Sequence, residues 1–119
     1  MDNCIFCKIV SGEAPSIKVF EDENILAFVP IEKVSHGHTL VIPKKHSENI
    51  FDIDENILKK LIGVVKDLSK KVVRENNASG VNLLNASGKD AQQSIFHFHF
   101  HIVPRYRDDG LDMWIKQSL

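Results

Sequence analysis

Three histidines stand on alternate positions near the carboxyl end of the chain, at His97, His99 and His101. They make up half of the six histidines in the sequence. A strand face that is merely solvated would more commonly carry Thr, Lys or Glu, so the row indicates chemistry. Two kinds of chemistry fit it: a metal site that uses His-x-His ligands, or phosphate transfer with a histidine nucleophile.

The residues around this row predict a β-strand over 94–102. Polar and large apolar side chains alternate there, which is the period of a strand with one buried face. The three histidines then share one face, while the opposite face offers an apolar strip to a core. That strip consists of Phe96, Phe98, Phe100 and Ile102.

The two cysteines, Cys4 and Cys7, form a single C-x-x-C. In a reducing compartment this spacing indicates a metal pair or a redox motif before it indicates a structural disulfide. Residues 4–11 are predicted to form a short helix that ends at Gly12, and a spacing of three residues places both thiols on one side of it.

The remaining elements are predicted from hydrophobic period and turn residues. Strands are predicted over 17–21, 25–29, 38–43 and 81–85, and one long amphipathic helix over 55–75, capped by Asp52 or Asp54. A polar loop over 86–92 leads into the histidine strand. This order predicts an α+β fold, in which a five-stranded antiparallel sheet carries the long helix on one face.

His38 opens one of the predicted strands and shares a face with Leu40 and Ile42. A lone histidine in such a place is commonly a hydrogen-bonded core group. Support of the histidine row is the alternative, and the sequence leaves both open.

Length and composition predict one ordinary globular domain. The chain has 119 residues, 43% hydrophobic and 26% charged, with a formal net charge of -1. This balance gives no basic footprint for a nucleic-acid polymer. The sequence has no apolar run of membrane-spanning length and no signal peptide, so a cytoplasmic protein without a membrane partner is expected.

Several stretches together resemble the histidine triad nucleotide-binding proteins, most closely the bacterial, zinc-containing members of the nucleoside phosphoramidase branch. They are Cys-Ile-Phe-Cys-Lys-Ile-Val at 4–10, Phe-Glu-Asp-Glu at 20–23, Gly-His-Thr-Leu-Val-Ile-Pro-Lys-Lys-His at 37–46, Gly-Val-Asn-Leu-Leu-Asn at 80–85, and Gln-Ser with the histidine row at 93–101. The resemblance implies one domain over 1–119, with 106–119 as a C-terminal tail. It also implies a homodimer whose two sheets join across the interface.

The resemblance further implies a site for a purine nucleoside monophosphate. His99 is expected to attack the α-phosphorus and form a nucleotidyl-histidine, with His97 as its support. The expected phosphate contacts are His101, Ser94 and Asn85, and Gln93 is also expected to bind the nucleotide. The expected base and ribose pocket consists of Phe6, Ile9, Phe28 and Ile31.

The chemistry of imidazole agrees with this assignment. A neutral imidazole is largely unprotonated at pH 7 and needs no strong base to activate it, whereas a phosphoryl transition state needs hydrogen-bond donors around its oxygens. If Nδ1 of His99 donates to a backbone carbonyl, Nε2 is left free for in-line attack. His101 and the Ser94 hydroxyl can then donate to the developing charge.

The resemblance also gives the metal hypothesis a place of its own. Cys4, Cys7, His46 and His97 supply the Cys₂His₂ set of a closed structural zinc site. The alternative is a pair of buried thiols beside an unliganded His46. A thioredoxin-like role is disfavoured because the βαβ context of that motif is missing.

Three positions depart from the family's pattern. Pro30 stands where an acidic residue usually meets the ribose hydroxyls, and Glu32 is the nearest carboxylate that would substitute for it. Gln92 replaces a glycine that lets a backbone amide approach the phosphate. His36 replaces a common proline.

The sequence therefore predicts a hydrolase that cleaves purine nucleoside phosphoramidates or related adenylates to the monophosphate. Hydrolysis of dinucleoside polyphosphates is a second enzymatic hypothesis. A nucleotide-binding sensor or interaction protein with little turnover is a third. A zinc hydrolase that uses all three strand histidines is the least favoured, because it leaves Cys4 and Cys7 unexplained.

Overall fold

The computed structural model describes residues 3–116. Its helices are α1 (Ile5–Ser11) and α2 (Glu55–Asn76), and its strands are β1 (Lys18–Glu21), β2 (Ile25–Phe28), β3 (Thr39–Pro43), β4 (Gly80–Leu84) and β5 (Phe100–Arg105). A short 3₁₀ turn, Lys89–Ala91, lies between β4 and β5. All five strands pair antiparallel in the order β1-β2-β3-β5-β4. The predicted α+β class, the five-stranded sheet and the two helices are confirmed.

The long helix α2 covers one face of the sheet. Asp54 caps its first turn by accepting a hydrogen bond from the Ile57 amide at 3.1 Å, and Asn77 ends it in the left-handed conformation. The buried core on this side consists of Ile25, Ala27, Val41, Leu61, Val65, Leu68, Val72, Phe98 and Ile102. Burial of each large aliphatic side chain contributes about 1.5–3 kcal/mol.

The short helix α1 lies on the opposite face. Cys4 caps it by accepting the Cys7 amide at 3.4 Å, and Gly12 ends it with a φ of 86°. The core on this side consists of Phe6, Ile9, Leu26, Phe28, Leu40 and Ile42. The alternation along β2 and β3 sends successive side chains to the two helices, so the centre of the sheet is buried on both faces.

The predicted strand over 94–102 is wrong in its first part, because β5 begins only at Phe100. Upstream backbone groups bond outside the ladder: the Phe98 amide donates to the Ser47 carbonyl at 2.8 Å, and the His99 carbonyl accepts from the Asn85 side chain at 2.9 Å. Phe98 and Ile102 still reach the α2 side of the core. Phe96 does not, since it is 42% exposed.

Among residues 3–116, neither helix combines the length and the apolar character needed to cross a membrane.

Candidate active site and metal cluster

The two cysteines and two of the histidines converge between α1 and the segments that flank the sheet. The Nδ1 atom of His97 lies 3.3 Å from Cys4 Sγ, 3.5 Å from Cys7 Sγ and 3.2 Å from His46 Nδ1. Cys7 Sγ is 3.4 Å from His46 Nδ1, and all four ligand atoms lie within 4.8 Å of one another. Zn–N bonds of about 2.0–2.1 Å and Zn–S bonds of about 2.3 Å give a tetrahedron with edges of about 3.3–3.8 Å. The cluster therefore has the donor set and the size of a zinc site.

The protonation of these groups also suits a cation. Nε2 of His97 donates to the Pro43 carbonyl at 2.8 Å, so the lone pair is on Nδ1, which faces the thiols. Burial lowers the pKa of His97 to about 4 and keeps it neutral. Burial and the neighbouring Cys4 thiol raise the pKa of Cys7 to about 11. Two adjacent thiolates are therefore unfavourable unless a positive ion offsets their charge.

His99 is buried beside this cluster, and its ring has a fixed tautomer. Its Nδ1 lies 2.8 Å from the carbonyl oxygen of His97, which can only accept, so Nδ1 carries the proton. Nε2 therefore holds the lone pair. Burial lowers the pKa of His99, so the ring is neutral at neutral pH. This is the arrangement that nucleophilic attack by Nε2 requires.

A second chain of hydrogen bonds fixes the tautomer of His101. The Val34 amide donates to His38 Nδ1 at 3.2 Å, so the proton of His38 is on Nε2. This Nε2 lies 3.0 Å from His101 Nδ1, which accepts the hydrogen bond, so the proton of His101 is on its own Nε2 and that N–H is left as a donor. Burial, followed by the charges of His99 and His38, lowers the pKa of His101 to about 4. A ring with a free Nε2 lone pair, His99, and a ring with a free N–H donor, His101, thus lie next to each other, with ring centroids 5.0 Å apart.

His38 satisfies both interpretations left open by the sequence. It is buried and hydrogen-bonded, as a core histidine is, and its partner is a member of the histidine row. The amide of Val34 was missed, and no sequence signal marks it, because a backbone donor carries no residue type. Gly37 lets the chain turn into β3 at a φ of 90°, where an added Cβ would lie 2.9 Å from Asn76 Nδ2.

The residues expected around the phosphate differ in their surroundings. Asn85 and Ser94 are exposed. Asn85 donates through Nδ2 to the His99 carbonyl. Gln93 is buried, and its amide accepts from the Gly88 amide at 2.8 Å while it donates to the Glu48 and Ile95 carbonyls. The Gln93 side chain therefore ties the loop together from the inside.

Three of the four expected pocket residues lie together on the α1 side. Phe6, Ile9 and Phe28 belong to one cluster, and the Phe6 ring meets those of Phe28 and His99 edge-on at 5.4 and 5.2 Å. Ile31 is fully exposed and lies outside this cluster.

Gln92, which stands where the family usually has glycine, adopts a backbone conformation that favours glycine. Gln92 has a φ of 73°, in the left-handed region, and its own amide donates to the Lys89 carbonyl at 2.9 Å. The other departures lie around the 30–36 loop, where Pro30 is half-buried and Glu32 is exposed. The His36 carbonyl accepts the hydroxyl of Tyr106 at 2.6 Å.

Comparison with known proteins places the chain in a family. Residues 11–108 match the HIT domain, and the chain belongs to the HIT domain family. It is 47% identical over 110 residues to the protein hit of Bacillus subtilis. The aligned region covers 92% of this chain and 76% of that protein. The predicted family is confirmed.

Relatives with named activities differ among themselves. The chain is 36% identical over 118 residues to the adenylylsulfatase HINT3 of Arabidopsis thaliana, covering 99% of this chain and 59% of that one. It is 38% identical over 107 residues to the adenosine 5'-monophosphoramidase HNT1 of Candida albicans, covering 87% and 70%. A crystal structure of a Zn-bound histidine triad family protein from Mycobacterium smegmatis superposes with a TM-score of 0.89 at 38% identity, covering 98% and 85%.

Proposed function

We propose that the protein hydrolyses purine nucleoside phosphoramidates, or related adenylates, to the nucleoside monophosphate through a nucleotidyl-His99 intermediate. The observation that carries this proposal is the hydrogen bond from His99 Nδ1 to the His97 carbonyl, because it leaves the Nε2 lone pair free. The phosphoramidase relative in the same family supports the choice of substrate.

In the first step, Nε2 of His99 attacks the α-phosphorus and a P–N bond breaks. The leaving nitrogen keeps the electron pair and takes a proton from water. The imidazole becomes a cation, and the His97 carbonyl that accepts Nδ1–H stabilises it. In the second step, water attacks the adduct and the His99–phosphorus bond breaks, returning its electron pair to Nε2. The attacking water loses a proton to solvent, which neutralises the hydroxide left by the first step, and the monophosphate leaves.

Donors around the phosphorus lower the barrier to both steps. We assign Nε2–H of His101 to one of the phosphate oxygens, because the hydrogen bonds from Val34 to His38 and from His38 to His101 leave the His101 proton on Nε2. We assign the Ser94 hydroxyl and the second amide proton of Asn85 to the phosphate oxygens as well. Gln93 is buried and holds the loop between β4 and β5 in place by accepting from the Gly88 amide and donating to the Glu48 carbonyl.

For the nucleoside, we propose the α1 side of the site. Phe6, Ile9 and Phe28 supply an apolar wall beside His99. Ile31 is included as a fourth contact, and its complete exposure leaves it free to close over a base.

We assign the cluster of Cys4, Cys7, His46 and His97 to structural zinc. When bound, the ion would offset the charge of the two thiolates and tie α1 to the rest of the fold. The zinc-bound relative supports this assignment.

We also propose that the protein is a cytoplasmic homodimer with a single domain over 1–119 and no membrane or nucleic-acid partner. The edge strand β4 pairs on one side only, and Leu83 on it is 46% exposed, so a second copy has a strand to extend. Sedimentation equilibrium would show a dimer mass, and a monomer at micromolar concentration would contradict it.

Turnover of adenosine 5′-phosphoramidate tests the enzymatic proposal. The wild type should hydrolyse it, and His99→Ala should lose at least about a thousandfold in kcat because the nucleophile is gone. His36→Ala is the matched control, since His36 is an exposed histidine outside the row.

Diadenosine tetraphosphate distinguishes the alternatives. Preference for that compound would support the dinucleoside polyphosphate hydrolase. Binding of AMP without turnover of either compound would support the sensor.

A further inference from the structure

A chain of hydrogen bonds runs from the segment before α2, through the loop between β4 and β5, to the backbone of His99. The Ile50 amide donates to Ser87 Oγ at 3.0 Å. Ser87 Oγ lies 2.9 Å from Asn85 Oδ1, and Asn85 Nδ2 lies 2.9 Å from the His99 carbonyl. The chain thus connects residue 50, in the segment before α2, to the backbone of the nucleophile.

Each link in this chain can act in one direction only. A backbone amide donates, so Ser87 Oγ accepts from Ile50 and has its single proton left for Asn85. A carbonyl accepts, so the atom of Asn85 that faces His99 is the NH₂ group. Asn85 Oδ1 therefore faces Ser87, and both ends of the amide are held.

We propose that Ser87 is a positioning residue that orients the Asn85 amide for phosphate binding. A primary amide has two N–H donors, and the His99 carbonyl uses one of them. The second is the donor assigned to the phosphate oxygens, so this inference rests on the proposed function. Ser87 acts through Asn85, by holding Oδ1 so that the amide plane cannot rotate.

The segment around Ile50, whose amide holds Ser87, is itself fixed by hydrogen bonds. The Asp52 carboxylate accepts the Glu48 and Asn49 amides at 2.9 and 2.8 Å, which makes a tight turn of this segment. Gln93 donates to the Glu48 carbonyl at 2.6 Å. The loop over 86–93 is thus fastened to one rigid segment at two points, by Ser87 and by Gln93.

Kinetics of Ser87 variants with adenosine 5′-phosphoramidate test the positioning role. Ser87→Ala should lower kcat/KM by about three- to tenfold, the range expected from one hydrogen bond. Ser87→Thr should retain activity, because its hydroxyl stands at the same position and can both accept from Ile50 and donate to Asn85. In an Asn85→Ala background, Ser87→Ala should have no further effect. Equal losses in the two backgrounds, or no loss in either, would overturn the proposal.

The side-chain amide of Asn85 gives a readout that does not depend on turnover. In ¹⁵N-edited NMR spectra, Ser87→Ala should shift the two Asn85 amide protons and Ser87→Thr should leave them near their wild-type positions. Unchanged Asn85 resonances in Ser87→Ala would refute the positioning role. If the wild type turned over no phosphoramidate, the proposed function would fail, while this comparison would still decide whether Ser87 orients Asn85.

Discussion

The carbonyl oxygen of His97 accepts a hydrogen bond from Nδ1 of His99, and the imidazole of His97 belongs to the Cys₂His₂ cluster. One residue therefore serves two sites with different parts of its structure. The tautomer of His101 is fixed by His38, and the tautomer of His38 is fixed in turn by the Val34 amide. At the scale of residues, the site consists of neutral imidazoles whose tautomers are fixed by groups that can only donate or only accept.

Neutral imidazoles make stability depend on pH. The folded pKa of His101, about 4, lies below its ordinary value of 6.5, so between these values the unfolded chain binds more protons than the folded one. The contribution of His101 to the free energy of unfolding is therefore full above pH 6.5 and is lost as the pH falls toward 4. Urea unfolding at pH 7 and pH 5 should show this loss, and about 1 kcal/mol of it should disappear in His101→Gln, allowing for solvent screening.

The exposed His36 again provides the comparison. His36→Ala should retain the full difference between pH 7 and pH 5. An unchanged difference in His101→Gln would mean that His101 titrates normally in the folded protein.

At the scale of elements, α1 joins the cluster of Cys4, Cys7, His46 and His97 to His99. The helix has only seven residues, which is too short to be stable alone, so its packing and the ligands at its start must hold it. The same helix carries Phe6, which packs edge-on against His97 and His99 at 5.8 and 5.2 Å. Loss of the metal ligands should therefore disturb the fold first and the active site as a consequence.

Zinc content measured per chain tests this dependence. Cys4→Ser and His46→Ala should lose the metal, whereas His36→Ala and His99→Ala should retain about one zinc per chain. The loss should lower the free energy of unfolding by about 2.7 kcal/mol when zinc is at a hundredfold excess over its Kd. Equal zinc in Cys4→Ser and the wild type would refute the assigned cluster.

Periodic elements were predictable and the segment before β5 was not. The long stripe of α2, a cap at Asp52 or Asp54 and the stop at Gly12 predicted the helices closely, because each is a local signal, and the structure places the cap at Asp54. Residues 94–99 have the period of a strand but do not pair as one, and the Phe98 amide and the His99 carbonyl instead bond to Ser47 and Asn85. Such partners are distant in the chain, so alternation alone could not reveal them.

At the scale of the whole molecule, the two faces of one sheet have separate tasks. The α2 face carries the larger core, and the α1 face carries the Cys₂His₂ cluster and the apolar residues beside His99. The Cys₂His₂ grouping was expected from the family resemblance, and the structure brings its four members together. The roles of Ser87 and Val34 could not be expected, because both act through contacts that only the folded chain creates.

The start of the C-terminal tail is held by the hydrogen bonds of Arg105. Arg105 donates to both carboxylate oxygens of Asp109 at 2.9 Å, to Asn82 Oδ1 at 2.7 Å and to the Leu111 carbonyl at 2.6 Å. Trp114 beyond it is 68% exposed. The last residues of the predicted tail, 117–119, lie outside the described part of the chain.

The central claim is that His99 carries the nucleotide covalently, and trapping the adduct tests it most directly. The wild type, mixed with adenosine 5′-phosphoramidate and denatured within the first turnover, should give a peptide with an AMP group bonded to His99 when mass spectrometry locates the modification. His99→Ala should give none, and His36→Ala should match the wild type. Rapid turnover with no adduct on His99, or an adduct on another residue, would contradict the proposed mechanism.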